Sequence, residues 1–168
     1  DLPQRALAGG GSQGGVEKHE AHCRKSRARA RLLYPASVSE TKIVAHRGYS
    51  GVYPELTQRA FEEALKLPIH GVECDVRLTR DGRLVVFHDA TVNRTTDGSG
   101  AVSRMDFAEL RELNAGTSED PQRILLLDEL LELLEDYPDK HIYIETKHPT
   151  RYGPEVDEQT LRTLRYRR

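Results

Sequence analysis

Short apolar strands alternate with amphipathic helices from Thr41 onward, and this alternation constrains the fold more than any other feature of the 168-residue chain. Strands that alternate with helices favour a parallel sheet with the helices packed outside it. About four strand–helix units fit in residues 41–168, whereas a closed (β/α)8 barrel needs roughly 250 residues. The sequence therefore predicts an α/β fold, a partial (β/α)8 TIM barrel, with a small open α/β sheet as the alternative.

The elements follow from local patterns of apolar and turn-forming residues. The predicted strands are Ile43–Ala45, His70–Thr79, Leu84–His88 and Ile142–Glu145, with a brief one at Ile124–Leu126. The predicted helices lie after Pro54, from Asp106 to Leu113, over Asp128–Asp136 and over Glu155–Leu164.

Residues 1–40 differ in composition from the rest of the chain. They carry a net charge of +3 and are rich in glycine, whereas residues 41–168 carry −5. We expect a disordered basic tail at 1–40 and a folded domain at 41–168. The alternative for the tail is a contact with nucleic acid or an anionic lipid surface.

Overall composition excludes several classes of protein. The net charge of −2 excludes a strongly cationic protein that neutralises nucleic acid, so no nucleic-acid partner is expected. Two cysteines exclude a disulfide scaffold, and the absence of an 18-residue apolar run excludes a transmembrane segment. No apolar stretch follows the basic run, so no secretory signal is visible and a cytoplasmic location is expected. The sequence leaves the oligomeric state open.

Two carboxylates stand close together on one predicted strand. Glu73 and Asp75 are two residues apart, so their side chains share a face, while Cys74 and Val76 face the other way and suit packing under a helix. Paired carboxylates repel each other unless a cation neutralises them. The oxygen ligands favour a divalent metal, Mg²⁺ or Ca²⁺.

A hairpin signal brings a histidine into this region. With Asp81-Gly82 as a two-residue loop, Thr79 pairs with Leu84, and Asp75 comes to lie directly opposite His88. Opposed residues have Cβ atoms roughly 4.5–5.5 Å apart. The same register pairs the apolar side chains Val76 with Phe87 and Leu78 with Val85.

Further polar residues end the neighbouring strands. His46 follows the first strand and Glu145 lies near the end of a later one, with Arg47 and Lys147 beside them. Because the carboxyl ends of parallel strands open on one face, these side chains are expected to converge there with the carboxylate pair. Histidines, carboxylates and cations around one opening suit the binding and cleavage of a phosphate ester.

Taken together, these motifs resemble the glycerophosphodiester phosphodiesterase family, whose members belong to the phospholipase C-like TIM-barrel phosphodiesterases. The resemblance runs from about Ile43 to Lys147, and its motifs occur in the family's order and spacing. They are His46-Arg47-Gly48, Pro54-Glu55, Thr57, Ala60-Phe61, Glu73-x-Asp75-Val76, Thr79-x-Asp81-Gly82, Val86-x-His88-Asp89 and Glu145-x-Lys147.

The resemblance implies a hydrolase that cuts glycerophosphodiesters into glycerol 3-phosphate and an alcohol. It implies that His46 and His88 are the general acid and base. It implies in addition that Arg47 and Lys147 hold the phosphate and that Glu55 supports substrate or metal binding. The implied ligands of the Mg²⁺ or Ca²⁺ ion are Glu73, Asp75 and Glu145.

The chain departs from the family pattern in two respects. Leu56 occupies the position where the family usually has Asn, which removes a polar contact at the rim. The family's barrel continues well past Lys147, so the domain is expected to be incomplete at its C-terminus. The alternatives are a phospholipase D-like enzyme of the same barrel type, an inactive truncated fragment and a binding module.

Overall fold

The computed structural model describes residues 41–148 and 153–167. Its four-stranded sheet comprises β1 (Val44–His46), β2 (Gly71–Leu78), β3 (Leu84–Val86) and β4 (His141–Thr146). β2 is central, because it pairs in parallel with β1 and with β4 on opposite edges. β3 pairs antiparallel with the last residues of β2, on the edge that β1 leaves open.

The helices occur where the sequence predicts them. They are α1 (Gln58–Leu65), α2 (Phe107–Arg111), α3 (Leu127–Glu135) and α4 (Glu155–Tyr166), with a 3₁₀ turn at Val102–Arg104. α1 begins after Thr57, whose hydroxyl accepts a hydrogen bond from the Ala60 N–H at 3.2 Å. A threonine in this position satisfies one of the free N–H groups of the first turn.

The two faces of β2 have different roles. Val72, Cys74 and Val76 are fully buried and pack into the main apolar core with residues of α1 and α3. Glu73 and Asp75 point to the opposite face, as the period-two pattern predicts. The strand therefore presents an apolar face to the helices and carries Glu73 and Asp75 on its other face.

The β2–β3 hairpin corrects the predicted register by one residue. Leu78 pairs with Leu84 and Val76 with Val86, so Asp75 lies level with Phe87 and not opposite His88. The predicted pairs of Thr79 with Leu84, Val76 with Phe87 and Leu78 with Val85 are therefore wrong. The sheet still retains an apolar contact between the two strands, because the shifted pairs are also apolar.

The physical reason is a three-residue loop between Thr79 and Arg83. The Thr79 N–H donates to the Arg83 carbonyl at 3.0 Å, and the Thr79 hydroxyl accepts from the Arg83 N–H at 2.8 Å. Gly82 has a φ of +74°, the left-handed conformation that ends a three-residue hairpin loop. Thr79 thus forms hydrogen bonds with Arg83 across the turn, and the loop has three residues instead of the predicted two.

Ile124–Leu126 forms no regular strand. The Leu125 carbonyl accepts from the Val86 N–H at 2.8 Å, and Leu126 forms one isolated bridge with Val85. The segment is therefore an extended connection that meets β3 at one point before α3 begins.

Several expectations concern parts of the chain beyond these elements. The predicted tail at 1–40 lies outside the described residues. Within 41–148 and 153–167, no helix combines the length and the apolar character needed to cross a bilayer. The cytoplasmic location stays a prediction.

Candidate active site

Parallel pairing gathers the predicted site residues at the carboxyl ends of the strands. His46 ends β1 and pairs with Glu73 in the register of the sheet. Asp75, two residues further along β2, pairs with Glu145 of β4. Residues that are up to 99 positions apart in the sequence therefore meet at one edge.

The centre of the site is an acidic cluster formed by Glu73, Asp75 and Glu145. One carboxylate oxygen from each residue lies within 4.8 Å of the others. Asp75 is completely buried, whereas Glu145 is exposed. Burial and the neighbouring Asp75 charge raise the pKa of Glu73, as expected for like charges that are held together. The cluster has the charge and the oxygen donors of a site for a hard divalent cation.

Two cations contact the buried carboxylate of Asp75. Lys147 Nζ lies 2.8 Å from Oδ1, and Arg47 Nε lies 3.2 Å from Oδ2. Both Asp75 oxygens are therefore ion-paired, and neither has a further hydrogen-bond partner among the described residues. Lys147 also contacts Glu145 Oε1 at 2.5 Å.

The same contacts set the protonation of Glu145 and Lys147. The hydrogen bond from Lys147 lowers the pKa of Glu145, and the nearby His88 and Arg47 lower it further. Burial opposes the charge of Lys147, but Asp75 and Glu145 outweigh burial and raise its pKa. Both residues are therefore charged over a wide pH range around neutrality.

Backbone geometry after β1 places Arg47. This residue has a φ of +59°, a left-handed conformation that is uncommon for residues other than glycine. Its N–H donates to Glu73 Oε2 at 3.0 Å, while its side chain contacts Asp75 and Glu55. Gly48 follows with a φ of +76°, and a Cβ there would lie 2.8 Å from the Ala60 backbone. The tight turn explains why this motif needs a glycine at its third position.

The two histidines lie in different surroundings. The His46 side chain is 67% exposed, and its Nε2 lies 3.7 Å from Glu73 Oε2. His88 is half-buried, and its Nδ1 lies 2.6 Å from Asp89 Oδ1. Although the predicted pairing of His88 with Asp75 is wrong, the ring is close enough to Glu145 to lower the pKa of that carboxylate. The chain after β3 therefore carries His88 toward the acidic cluster without strand pairing.

Glu55 links the site to a residue that the sequence analysis missed. Its carboxylate accepts from Arg47 Nη1 at 3.1 Å and from Arg94 at 2.7 and 3.0 Å. Hydrogen bonding to Arg94 lowers the pKa of Glu55, with a further contribution from Arg47. Arg94 lies in a turn-rich loop, 39 residues from Glu55, and no sequence spacing connects the two.

A second missed cation is Arg77, on the same face of β2 as Glu73 and Asp75. Its Nε donates to the His88 carbonyl at 2.8 Å. Among the other histidines of the described residues, His148 pairs with Asp157 at 3.1 Å and His70 stacks on His141. These three rings have partners that do not belong to the acidic cluster.

Comparisons with known proteins agree with this geometry. Residues 46–168 match the model of the glycerophosphoryl diester phosphodiesterase family. The chain therefore belongs to this family, and its fold is part of the family's TIM barrel.

Individual relatives show how much of the barrel is present. Probable glycerophosphodiester phosphodiesterase 1 of Mycobacterium tuberculosis is 48% identical to this chain, in a match that covers 73% of this chain and 48% of the relative. A solved Agrobacterium tumefaciens glycerophosphodiester phosphodiesterase has a TM-score of 0.67 and 35% identity, covering 75% of this chain and 53% of that structure. An Oleispira antarctica phosphodiesterase, solved in complex with the product sn-glycerol-3-phosphate, has a TM-score of 0.70 and 33% identity, covering 74% and 52%. The chain thus spans about half the length of the relatives that it matches.

Proposed function

We propose that the residues at the carboxyl ends of the strands form the active site of a metal-dependent phosphodiesterase. This enzyme hydrolyses glycerophosphodiesters to glycerol 3-phosphate and an alcohol. The observation that carries the proposal is the convergence of three carboxylates within 4.8 Å, with histidines and cations beside them. Family membership and the product bound by the Oleispira antarctica relative support the choice of substrate.

The acidic cluster is the proposed metal site, and its residues fit the group. Glu73, Asp75 and Glu145 offer only oxygen donors, which suits Mg²⁺ or Ca²⁺. The raised pKa of Glu73 reflects repulsion that a divalent ion would relieve. Such an ion supplies positive charge that stabilises the negative charge developing on a phosphate oxygen.

Arg47 and Lys147 are the proposed phosphate-binding residues. Both lie at the edge of the cluster, where they contact Asp75 from two sides. Their side chains are mostly buried, at 17% and 13% exposure, so little of their charge is screened by water. A phosphate bound there would meet two fixed cations.

His46 and His88 are the proposed acid–base pair. One ring takes the proton of the glycerol 2-hydroxyl as that oxygen attacks phosphorus, and the other protonates the departing alcohol. The attack forms a cyclic phosphate and breaks the bond from phosphorus to the alcohol oxygen. Water then opens the ring to give glycerol 3-phosphate, with the two histidines exchanging roles.

Metal-dependent release of product is the direct test. Purified protein is incubated with glycerophosphocholine in EDTA, and then with Mg²⁺ or Ca²⁺ added back, and glycerol 3-phosphate is measured. We expect release that stops in EDTA and returns with one of the ions. A parallel incubation with lysophosphatidylcholine, in which choline release is measured for both substrates, tests the phospholipase alternative. Choline release from that lipid and not from glycerophosphocholine would contradict the proposed substrate.

Metal binding can be measured separately from turnover. Titration calorimetry with Mg²⁺ and Ca²⁺ compares the parent chain with Glu73→Gln, which removes one ligand charge, and with Glu112→Gln as an exposed control. We expect weaker binding only in Glu73→Gln. Equal affinity in the three proteins would place the metal elsewhere.

A further inference from the structure

Arg94 holds two carboxylates at once at the rim of the proposed site. Its Nε and Nη2 donate to Asp89 at 2.7 and 3.0 Å. Its Nη1 and Nη2 donate to Glu55 at 3.0 and 2.7 Å. Both pairs are bidentate, the geometry that a planar guanidinium forms best with carboxylates.

Each of these carboxylates contacts one proposed functional group. Asp89 Oδ1 lies 2.6 Å from His88 Nδ1, and Glu55 Oε1 accepts from Arg47 Nη1 at 3.1 Å. Arg94 therefore stands between a proposed acid–base residue and a proposed phosphate-binding residue. Its influence on both passes through the carboxylates.

We propose that Arg94 is a positioning residue that fixes His88 and Arg47 together through Asp89 and Glu55. This inference rests on the proposed function. An ionised Asp89 can only accept hydrogen bonds, so the His88 Nδ1 must carry the proton and Nε2 is left to exchange protons with substrate. Arg94 holds Asp89 in this orientation.

The charge balance of the network supports this role. Hydrogen bonding to Arg94, and then to His88, holds the pKa of Asp89 far below its usual range. Glu55 is shared by Arg47 and Arg94, so loss of Arg94 removes one of its two cationic partners. We expect Arg94→Ala to free Asp89 and Glu55 to rotate, which lets the His88 ring exchange between its two tautomers.

Nitrogen NMR of the histidine rings tests the positioning directly and needs no turnover. Long-range proton–nitrogen spectra of the parent chain and Arg94→Ala are compared near neutral pH, with His88→Gln used to assign the His88 signals. We expect the Nδ1–H tautomer in the parent and a mixture containing the Nε2–H tautomer in Arg94→Ala. Arg104→Ala is the control, because Arg104 is an exposed arginine on the nearby 3₁₀ turn. An unchanged His88 tautomer in Arg94→Ala would overturn the proposal.

Kinetics then separate positioning from stability. We expect Arg94→Ala to lower kcat by about 10- to 100-fold, comparable to the loss of other residues that orient a functional side chain. Added guanidinium ion, well below denaturing concentration, should restore part of kcat in Arg94→Ala and none in His88→Gln. A loss of activity explained entirely by a lower melting temperature, without rescue, would contradict positioning.

The two measurements keep this inference distinct from the proposed function. A parent chain that releases no glycerol 3-phosphate counts against the proposed function. The ring spectra still decide whether Arg94 orients His88 in that case.

Discussion

The two ends of β2 differ in how their surroundings affect the pKa of ionisable side chains. At the carboxyl end, the pKa of Glu145 is lowered by Lys147, and that of Lys147 is raised by its carboxylate partners. The charged forms of this pair are therefore favoured, although burial and the Asp75 charge raise the pKa of Glu73 beside them. At the amino end, His70 stacks on His141 with ring centroids 4.0 Å apart. Desolvation lowers the pKa of His70, and the positive charges of His141, Lys42 and Lys140 lower it further. One sheet therefore concentrates paired charge at one end and disfavours additional charge at the other.

The residues with strained backbone conformations also lie at the carboxyl end of the strands. Among residues 41–148 and 153–167, Arg47 and Leu56 are the non-glycine residues with positive φ, both at 59°. They bracket the loop after β1 at the carboxyl end and are joined by a hydrogen bond from the Leu56 N–H to the Arg47 carbonyl at 3.1 Å. The end that gathers charge is also the end where unusual backbone geometry is maintained, as is common at functional sites.

The largest expected effect is on turnover at the carboxyl end. We expect His46→Ala and His88→Ala each to lower kcat by about 10²- to 10⁴-fold, the usual contribution of a general acid or base. Their far-UV circular dichroism should match that of the parent. His148→Gln, which removes a ring paired with Asp157, serves as the control and should keep its turnover. Full activity in either alanine variant would remove that histidine from the mechanism.

The next largest effect is on the free energy of unfolding, and it is seen by comparing substitutions at two aspartates. Asp75→Asn leaves Arg47 and Lys147 without their buried counter-charge, so we expect the free energy of unfolding to fall by about 3 kcal/mol. Asp139→Asn removes an exposed carboxylate 3.5 Å from Lys140 near the amino end and should cost less than about 1 kcal/mol. Urea denaturation of both variants measures the difference. Equal losses would mean that the buried charge has no special structural role.

A smaller effect comes from the strained loop. Leu56 is only 5% exposed, so truncation to alanine loses apolar burial. Leu56→Gly loses these contacts and the Cβ as well, but it relieves the left-handed backbone, and we expect it to be about 1 kcal/mol more stable than Leu56→Ala. This order reverses the usual preference for alanine over glycine. If the alanine variant is the more stable of the two in urea, the loop is not strained at Leu56.

The smallest expected effect is the pH dependence at the amino end. Because the folded pKa of His70 lies below the unfolded value of about 6.5, the unfolded state binds the proton more readily. The resulting stability is present above the unfolded pKa and is lost as the pH falls through the folded pKa. We expect the decrease in melting temperature between about pH 7.5 and 5.5 to be smaller in His70→Gln than in the parent. Identical decreases would show that the stacked pair does not sense pH.

Much of this organisation could be predicted from the sequence. The apolar periodicity of β2 and of the helices predicts the strand–helix order, because burial against one face requires that periodicity. The spacing of Glu73 and Asp75 predicts their shared face for the same reason. The convergence of His46, Glu73, Asp75 and Glu145 follows from parallel strands that open on one face.

The hairpin register and the arginine network could not be predicted in the same way. The Asp81-Gly82 pair indicates a turn, but the side chain of Thr79 decides that the loop has three residues. Arg94 meets its partners only in the folded chain, because Glu55 precedes α1 and Asp89 follows β3. Nothing in the local sequence favours those contacts over exposure to water.

The sequence by itself determined which residues alternate between core and opposite face, since that alternation depends only on backbone period and side-chain polarity. It also determined the chemical groups available at the strand ends. Tertiary structure alone decided which of these groups meet, how deeply Asp75 is buried and which cations face it. The reason is that such contacts depend on the distances between separate elements, and those distances are fixed only when the strands pair and the helices pack.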